Sequence, residues 1–143
     1  MRSAPYAGGR TVVVVNPAPE DCTCLKDSLD DLGLQTHCVS DNHELEEFLR
    51  TREASVVLCE AEDHSWKNVL DKLAEKDGPP RLIVMSRLAD ERLWAEVLNL
   101  GGYDVLAKPL DSEELRRVVA TAAGMTSIPQ VGGLHHRCEC PAA

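Results

Sequence analysis

Lys108, Glu60 and Ser86 are the residues of this 143-residue chain whose types and positions best suit shared chemistry. Each stands at the end of a short apolar run. Val56-Val57-Leu58-Cys59 leads to Glu60, Leu82-Ile83-Val84-Met85 to Ser86, and Val105-Leu106-Ala107 to Lys108. If these runs are parallel strands, their carboxyl ends open into one crevice, the place where an open α/β sheet receives ligands. A carboxylate and an ammonium meeting there could form an ion pair. Pro109 removes a backbone donor and biases Lys108 toward extended geometry, so the ammonium is offered from a strand tip.

Other reactive residues carry plainer expectations. Glu20-Asp21, Glu62 and Asp63 read as solvated loop acids, and only in an alternative reading do they rebuild a metal site. Six cysteines do not make a disulfide set in a chain that is not a short secreted scaffold. Cys38 and Cys59, beside and within apolar runs, read as free thiols. Cys22-Thr23-Cys24 falls early in a predicted helix, where thiolates are favoured. A thiol-based redox sensor is therefore a second alternative, set against simple helix packing. His135-His136-Arg137-Cys138-Glu139-Cys140 gathers four soft-metal ligands, but Cys-x-Cys is not finger spacing and no second ligand pair accompanies it. No cofactor or resident metal is expected from these residues.

The elements that must position these residues follow from periodicity. Val12-Val13-Val14-Val15 is a continuous β-branched run, as expected of a strand covered on both faces. Gln35 to Val39 forms another run, and with the three above the chain has five. Amphipathic segments alternate with them: Leu25, Leu29 and Leu32 before Gly33; Leu45, Phe48 and Leu49 behind an Asp41-Asn42 cap; Trp66, Val69, Leu70 and Leu73 before Gly78-Pro79-Pro80. The fourth carries Leu93, Trp94, Val97, Leu98 and Leu100 before Gly101-Gly102, and the fifth carries Leu115, Val118, Val119 and Ala122 behind Asp111-Ser112. The expected fold is α/β, doubly wound (βα)5 and flavodoxin-like, with five parallel strands in order 2-1-3-4-5. The expected domain spans 11–124, with flexible ends at 1–10 and 125–143.

Composition narrows the function classes. A net charge of −9 and a pI near 4.9 argue against direct nucleic-acid binding, which needs a basic face. No run approaches the length of a membrane helix and no signal peptide is evident, so a cytoplasmic location is expected.

With Lys108-Pro109 after the fifth strand, Gly101 seven residues before Lys108, Ser86 ending the fourth strand and Leu32-Gly33 closing the first helix, the chain resembles a response regulator receiver domain of two-component phosphorelay systems. The resemblance covers about residues 11–124. It implies a phosphoacceptor aspartate where this chain has Glu60, and two Mg²⁺-holding acids where it has Asn16 and Pro17. Ser86 and Lys108 match the pattern, while the family's switch aromatic is replaced by Val105. A glutamate facing Lys108 is neutral without a metal, and Pro17 has no side-chain ligand to offer. The expectation is a pseudo-receiver: not an enzyme, but a regulatory protein-interaction module with a degenerate, phosphorylation-independent pocket. The alternative is a functional Mg²⁺-dependent phospho-receiver using atypical acids such as Asp63. The resemblance also implies a protein partner or output domain, and a homodimer through helix four, strand five and helix five. Trp94 and Val105 would anchor that face, with the helix-five charges Glu113, Glu114, Arg116 and Arg117 pairing across it. Burial of Trp94 in the core is the competing expectation.

Overall fold

The computed structural model describes residues 10–62, 66–76 and 78–125. Expectations placed on residues 1–9 and 126–143, including the Cys/His tail and most of the two flexible ends, lie outside these residues, as does Asp63. Five strands alternate with five helices: β1 (Thr11–Val15), α1 (Pro19–Asp31), β2 (Gln35–Val39), α2 (Asn42–Thr51), β3 (Val56–Glu60), α3 (Trp66–Ala74), β4 (Arg81–Ser86), α4 (Glu91–Leu100), β5 (Asp104–Ala107) and α5 (Ser112–Ala122). All neighbouring strands pair in parallel, in the order β2-β1-β3-β4-β5. This is the expected topology, and it follows from β-branched strands covered on both faces and joined by right-handed helical crossovers.

The sheet divides the interior into two cores. Val13, Val57, Val84 and Val105 face α2, α3 and α4, where they meet Phe48, Trp66, Val69 and Val97. Val12, Val14, Leu58, Ile83 and Leu106 face α1 and α5, where they meet Leu25, Leu29, Leu115 and Val119. Burial of each such Val, Leu or Ile side chain favours folding by about 1.5–3 kcal/mol. The strands that carry the candidate site are therefore rigidly held from above and below.

Local signals set the helix ends. Asp41 accepts from Glu44 N at 2.9 Å while Glu44 Oε1 accepts from Ser40 N at 2.6 Å, a reciprocal cap at the start of α2. Asp90 and Asp111 cap α4 and α5 in the same way, accepting from Leu93 N and Glu114 N. Gly101, at φ 108°, closes α4 in a left-handed conformation that suits glycine. These ends aim the loops after β1, β3, β4 and β5 at a common rim, with β1 and β3 flanking the point where the strand order reverses.

Candidate functional site

Lys108 lies one residue beyond β5, and its peptide bond to Pro109 is cis. Its side chain is only 5% exposed. Nζ donates to Glu60 Oε1 at 2.9 Å and Oε2 at 2.8 Å, reaching across β4 from one strand tip to the other. It also forms an ion pair with Asp21 Oδ2 at 2.7 Å.

Asp21 corrects the sequence reading. It is not a solvated loop acid: it occupies the first turn of α1 and is 7% exposed. Pro19 starts the helix early, which carries the buried stripe of α1 back by one turn, through Asp21, Leu25, Ser28 and Leu29. Extending the leucine spacing upstream by four residues would have found it. Asp21 adds a second carboxylate to the Glu60–Lys108 pair expected from sequence.

Glu62 is the second acid that reading placed in solvent. It is exposed, yet its Oε2 accepts from Ser86 Oγ at 3.3 Å and from Arg87 N at 3.2 Å. Ser86 is buried, and its Oγ also accepts from Leu88 N at 2.9 Å, so the hydroxyl ties the β3 and β4 loops together. Arg87 extends the network outward to Glu20 at 3.4 Å.

The ionisation tendencies follow from this crowding. Burial draws the Lys108 ammonium downward, but the contacts with Asp21 and Glu60 outweigh it and hold its pKa above the usual lysine value. Burial pushes Glu60 up; Lys108 opposes this and Glu62 adds to it, leaving the pKa raised. Burial also acts upward on Glu62, but hydrogen bonds from Arg87 N and its other neighbours overcome it and leave the pKa lowered. The two partners of the Lys108–Glu60 bridge both move upward. The causes differ: burial outweighs the pull of Lys108 at Glu60, whereas two carboxylates outweigh burial at Lys108.

Asn16 and Pro17 stand apart from these contacts. Asn16 is exposed and left-handed at φ 49°, a conformation asparagine tolerates better than most residues, and its N–H bonds Val39 O at 2.7 Å. It turns the chain out of β1, and half-buried Pro17 continues the turn. Among the described residues, no group of three His, Cys, Asp or Glu side chains is arranged to hold a metal ion.

At the other end of β5, Trp94 is 48% exposed, and its indole Nε1 donates to Asp104 Oδ1 at 3.3 Å. Val105, expected beside it on the contact face, is instead buried in the core beneath α4, because β5 alternates and its odd positions face that helix. The core tryptophan is Trp66, 1% exposed.

No family model matches the chain, and no curated protein matches it by sequence. Solved structures do resemble it. A response regulator from Thermotoga maritima aligns over 80% of this chain and 98% of its own, at 22% identity and a TM-score of 0.73. The signal receiver domain of a putative Luxo repressor protein from Vibrio parahaemolyticus aligns over 80% and 90%, at 20% identity and a TM-score of 0.72. A Francisella response regulator receiver domain aligns over 81% and 98%, at 20% identity and a TM-score of 0.68. The chain has the fold of the response regulator receiver domains.

Proposed function

We propose that this chain is a signal-transduction module of the two-component type that acts through protein contact and does not switch by phosphorylation of its pocket. The observation that carries this reading is the state of Lys108. Its ammonium is already paired with Glu60 and Asp21, which supports a pocket that does not take up a phosphoryl group. The donor set does not fit Mg²⁺, which needs near-octahedral oxygen ligation. Pro17 has no side-chain ligand atom, Asn16 offers only a neutral side-chain carbonyl, and Asp21 and Glu60 both pair with the lysine.

One observation favours the competing reading, a Mg²⁺-dependent acceptor with unusual acids: Asp21, Glu60 and Glu62 converge around one rim. Incubation with Mg²⁺ and acetyl phosphate, followed by intact mass, separates the two. The expected result is an unmodified protein. A phosphoryl adduct that depends on Mg²⁺ would overturn the proposal. The triple variant Asn16→Asp, Pro17→Asp, Glu60→Asp is expected to gain Mg²⁺ binding.

The partner in this proposal is a second copy of the chain, docked through the α4–β5–α5 side. Support comes from the half-exposed Trp94, the exposed Leu100 and the mixed charges Glu113, Arg116 and Arg117 on α5. Of these, Arg116 already leans on Asp31 of α1 at 3.5 Å, so Arg117 is the better candidate for a contact across the dimer. No helix among the described residues is long and apolar enough to cross a membrane.

A further inference from the structure

Cys22 and Cys24 look like one motif in the sequence, but α1 sends them to opposite sides, as residues two apart on a helix must be. Cys24 turns toward α5, with its Sγ 4.0 Å from Ser112 Oγ. Cys22 lies on the other side, in the first turn of α1, where its Sγ donates to Ala18 O at 3.6 Å.

α1 packs against α5 and the edge strand β2, so the side that carries Cys22, turned away from α5, lies toward β2. Cys38 stands there in register with Val14, and Val14 belongs to the core under α1 and α5. Side chains in register on neighbouring parallel strands point to the same face, so Cys38 projects toward α1. The charges that act on its thiol agree with this placement. Burial raises the Cys38 pKa, Cys22 adds to the rise, and Lys26, one turn after Cys22, opposes it. Both cysteines are free, Cys38 exposed and Cys22 half-buried, so reagents in solution reach them. Cys59, by contrast, is buried within β3.

We propose that Cys22 and Cys38 are a disulfide-forming pair that closes when the protein meets a hydroperoxide. One thiolate attacks the peroxide oxygen, the O–O bond breaks, and the sulfur becomes a sulfenic acid with release of alcohol or water. The other thiol attacks that sulfur, the S–O bond breaks, and water leaves. The two thiols together lose two electrons and two protons, and the peroxide is reduced. The bond ties the first turn of α1 to the sheet edge. Cys22 directly follows Asp21, whose carboxylate lies against Lys108, so the oxidised form fixes the turn that carries part of the pocket. The inference holds whether or not that pocket accepts a phosphoryl group.

The test is brief treatment of the full chain with dilute hydrogen peroxide, alkylation of the remaining thiols, and tryptic mapping without reductant. The expected product has lost two hydrogen atoms and joins the peptide 11–26 to the peptide 27–50. The link persists in Cys24→Ser and is absent from Cys22→Ser and Cys38→Ser. Its yield falls several-fold when the oxidation is done in denaturing urea, because the fold supplies the proximity. Four results overturn the proposal: no link, a Cys22–Cys24 link within one peptide, a link to the tail cysteines Cys138 or Cys140, or equal yield in urea.

Discussion

The two ends of β5 depart from ordinary packing in opposite senses. At its carboxyl end, Lys108 is taken out of water, its side chain 5% exposed, and held by carboxylates from β3 and α1. At its amino end, Asp104 receives the indole of Trp94, a large apolar ring left half in water. Burying an ammonium is unfavourable unless its partners compensate, and exposing an indole forfeits the burial that would favour folding. Folding alone selects neither arrangement. The ends differ in how each is held: the ammonium is ringed by two carboxylates, whereas the ring lies half in water with one hydrogen bond from its indole N–H.

The largest expected effect breaks the first end. Lys108→Met keeps most of the length of the side chain but removes the ammonium that Asp21 and Glu60 share. A loss of about 3 kcal/mol in urea unfolding is expected. A loss below about 1 kcal/mol would mean that water reaches these carboxylates and that the pocket is wetter than its exposure indicates.

A smaller effect sharpens the asymmetry within the pocket. Glu60 is the anion that burial disfavours, so Glu60→Gln is expected to change stability at pH 7 by less than about 1 kcal/mol. The pH dependence gives the sign. The folded pKa of Glu60 lies above the ordinary 4.5, so between the two values the folded chain holds more protons than the unfolded chain. Stability from this group therefore rises as pH falls through the folded value, and the gain is complete below 4.5. Whatever its offset at pH 7, Glu60→Gln should lose ground to the parent as pH falls toward 4.5. Glu62 acts in the opposite direction at lower pH, where protonation through its depressed value removes stability. At the alkaline end, the contribution of Lys108 is complete below 10.5 and is lost as pH rises through its elevated folded value. Urea midpoints of parent and variant across pH 4.5 to 7 check the Glu60 term. A Glu60→Gln variant that gained on the parent with falling pH would show that the Lys108 attraction governs Glu60 after all.

What the sequence made legible divides along the same line. The strand order, the helix caps and the meeting of Glu60 with Lys108 follow from patterns repeated over many residues, or from strand ends that parallel pairing forces together. Asp21 was hidden because its burial depends on where α1 begins, and element boundaries are less securely read than elements. Pro19 marks that boundary, and the i, i+4 step from Asp21 to Leu25 was available to be read. Val105 is expected beside Trp94 on the contact face, yet strand alternation turns it inward. Glu62 lies past the last residue of β3, where no periodicity predicts direction, and only the loop geometry brings it to Ser86.

The smallest effect on stability is expected at the other end of β5, and there the comparison becomes a test of function. Truncation of Trp94 removes a half-solvated ring and one hydrogen bond to Asp104, whose Oδ1 also accepts from Val105 N at 2.8 Å and so keeps a partner. Trp94→Ala should therefore cost no more than about 1 kcal/mol. Trp66→Ala, in the interior beneath the same side of the sheet, belongs to a class that loses about 3–5 kcal/mol and serves as the control for a core tryptophan. If the α4–β5–α5 side pairs with a second copy, Trp94→Ala should abolish concentration-dependent dimerisation in sedimentation equilibrium while its melting curve stays close to that of the parent. Trp94→Phe should retain part of the association, because the apolar area survives while the indole N–H is lost. A parent chain that sediments as a monomer at every concentration would remove the second copy as the partner. A Trp94→Ala variant that loses stability on the scale of Trp66→Ala would place the ring in the core and leave the outer face of α4 without its anchor.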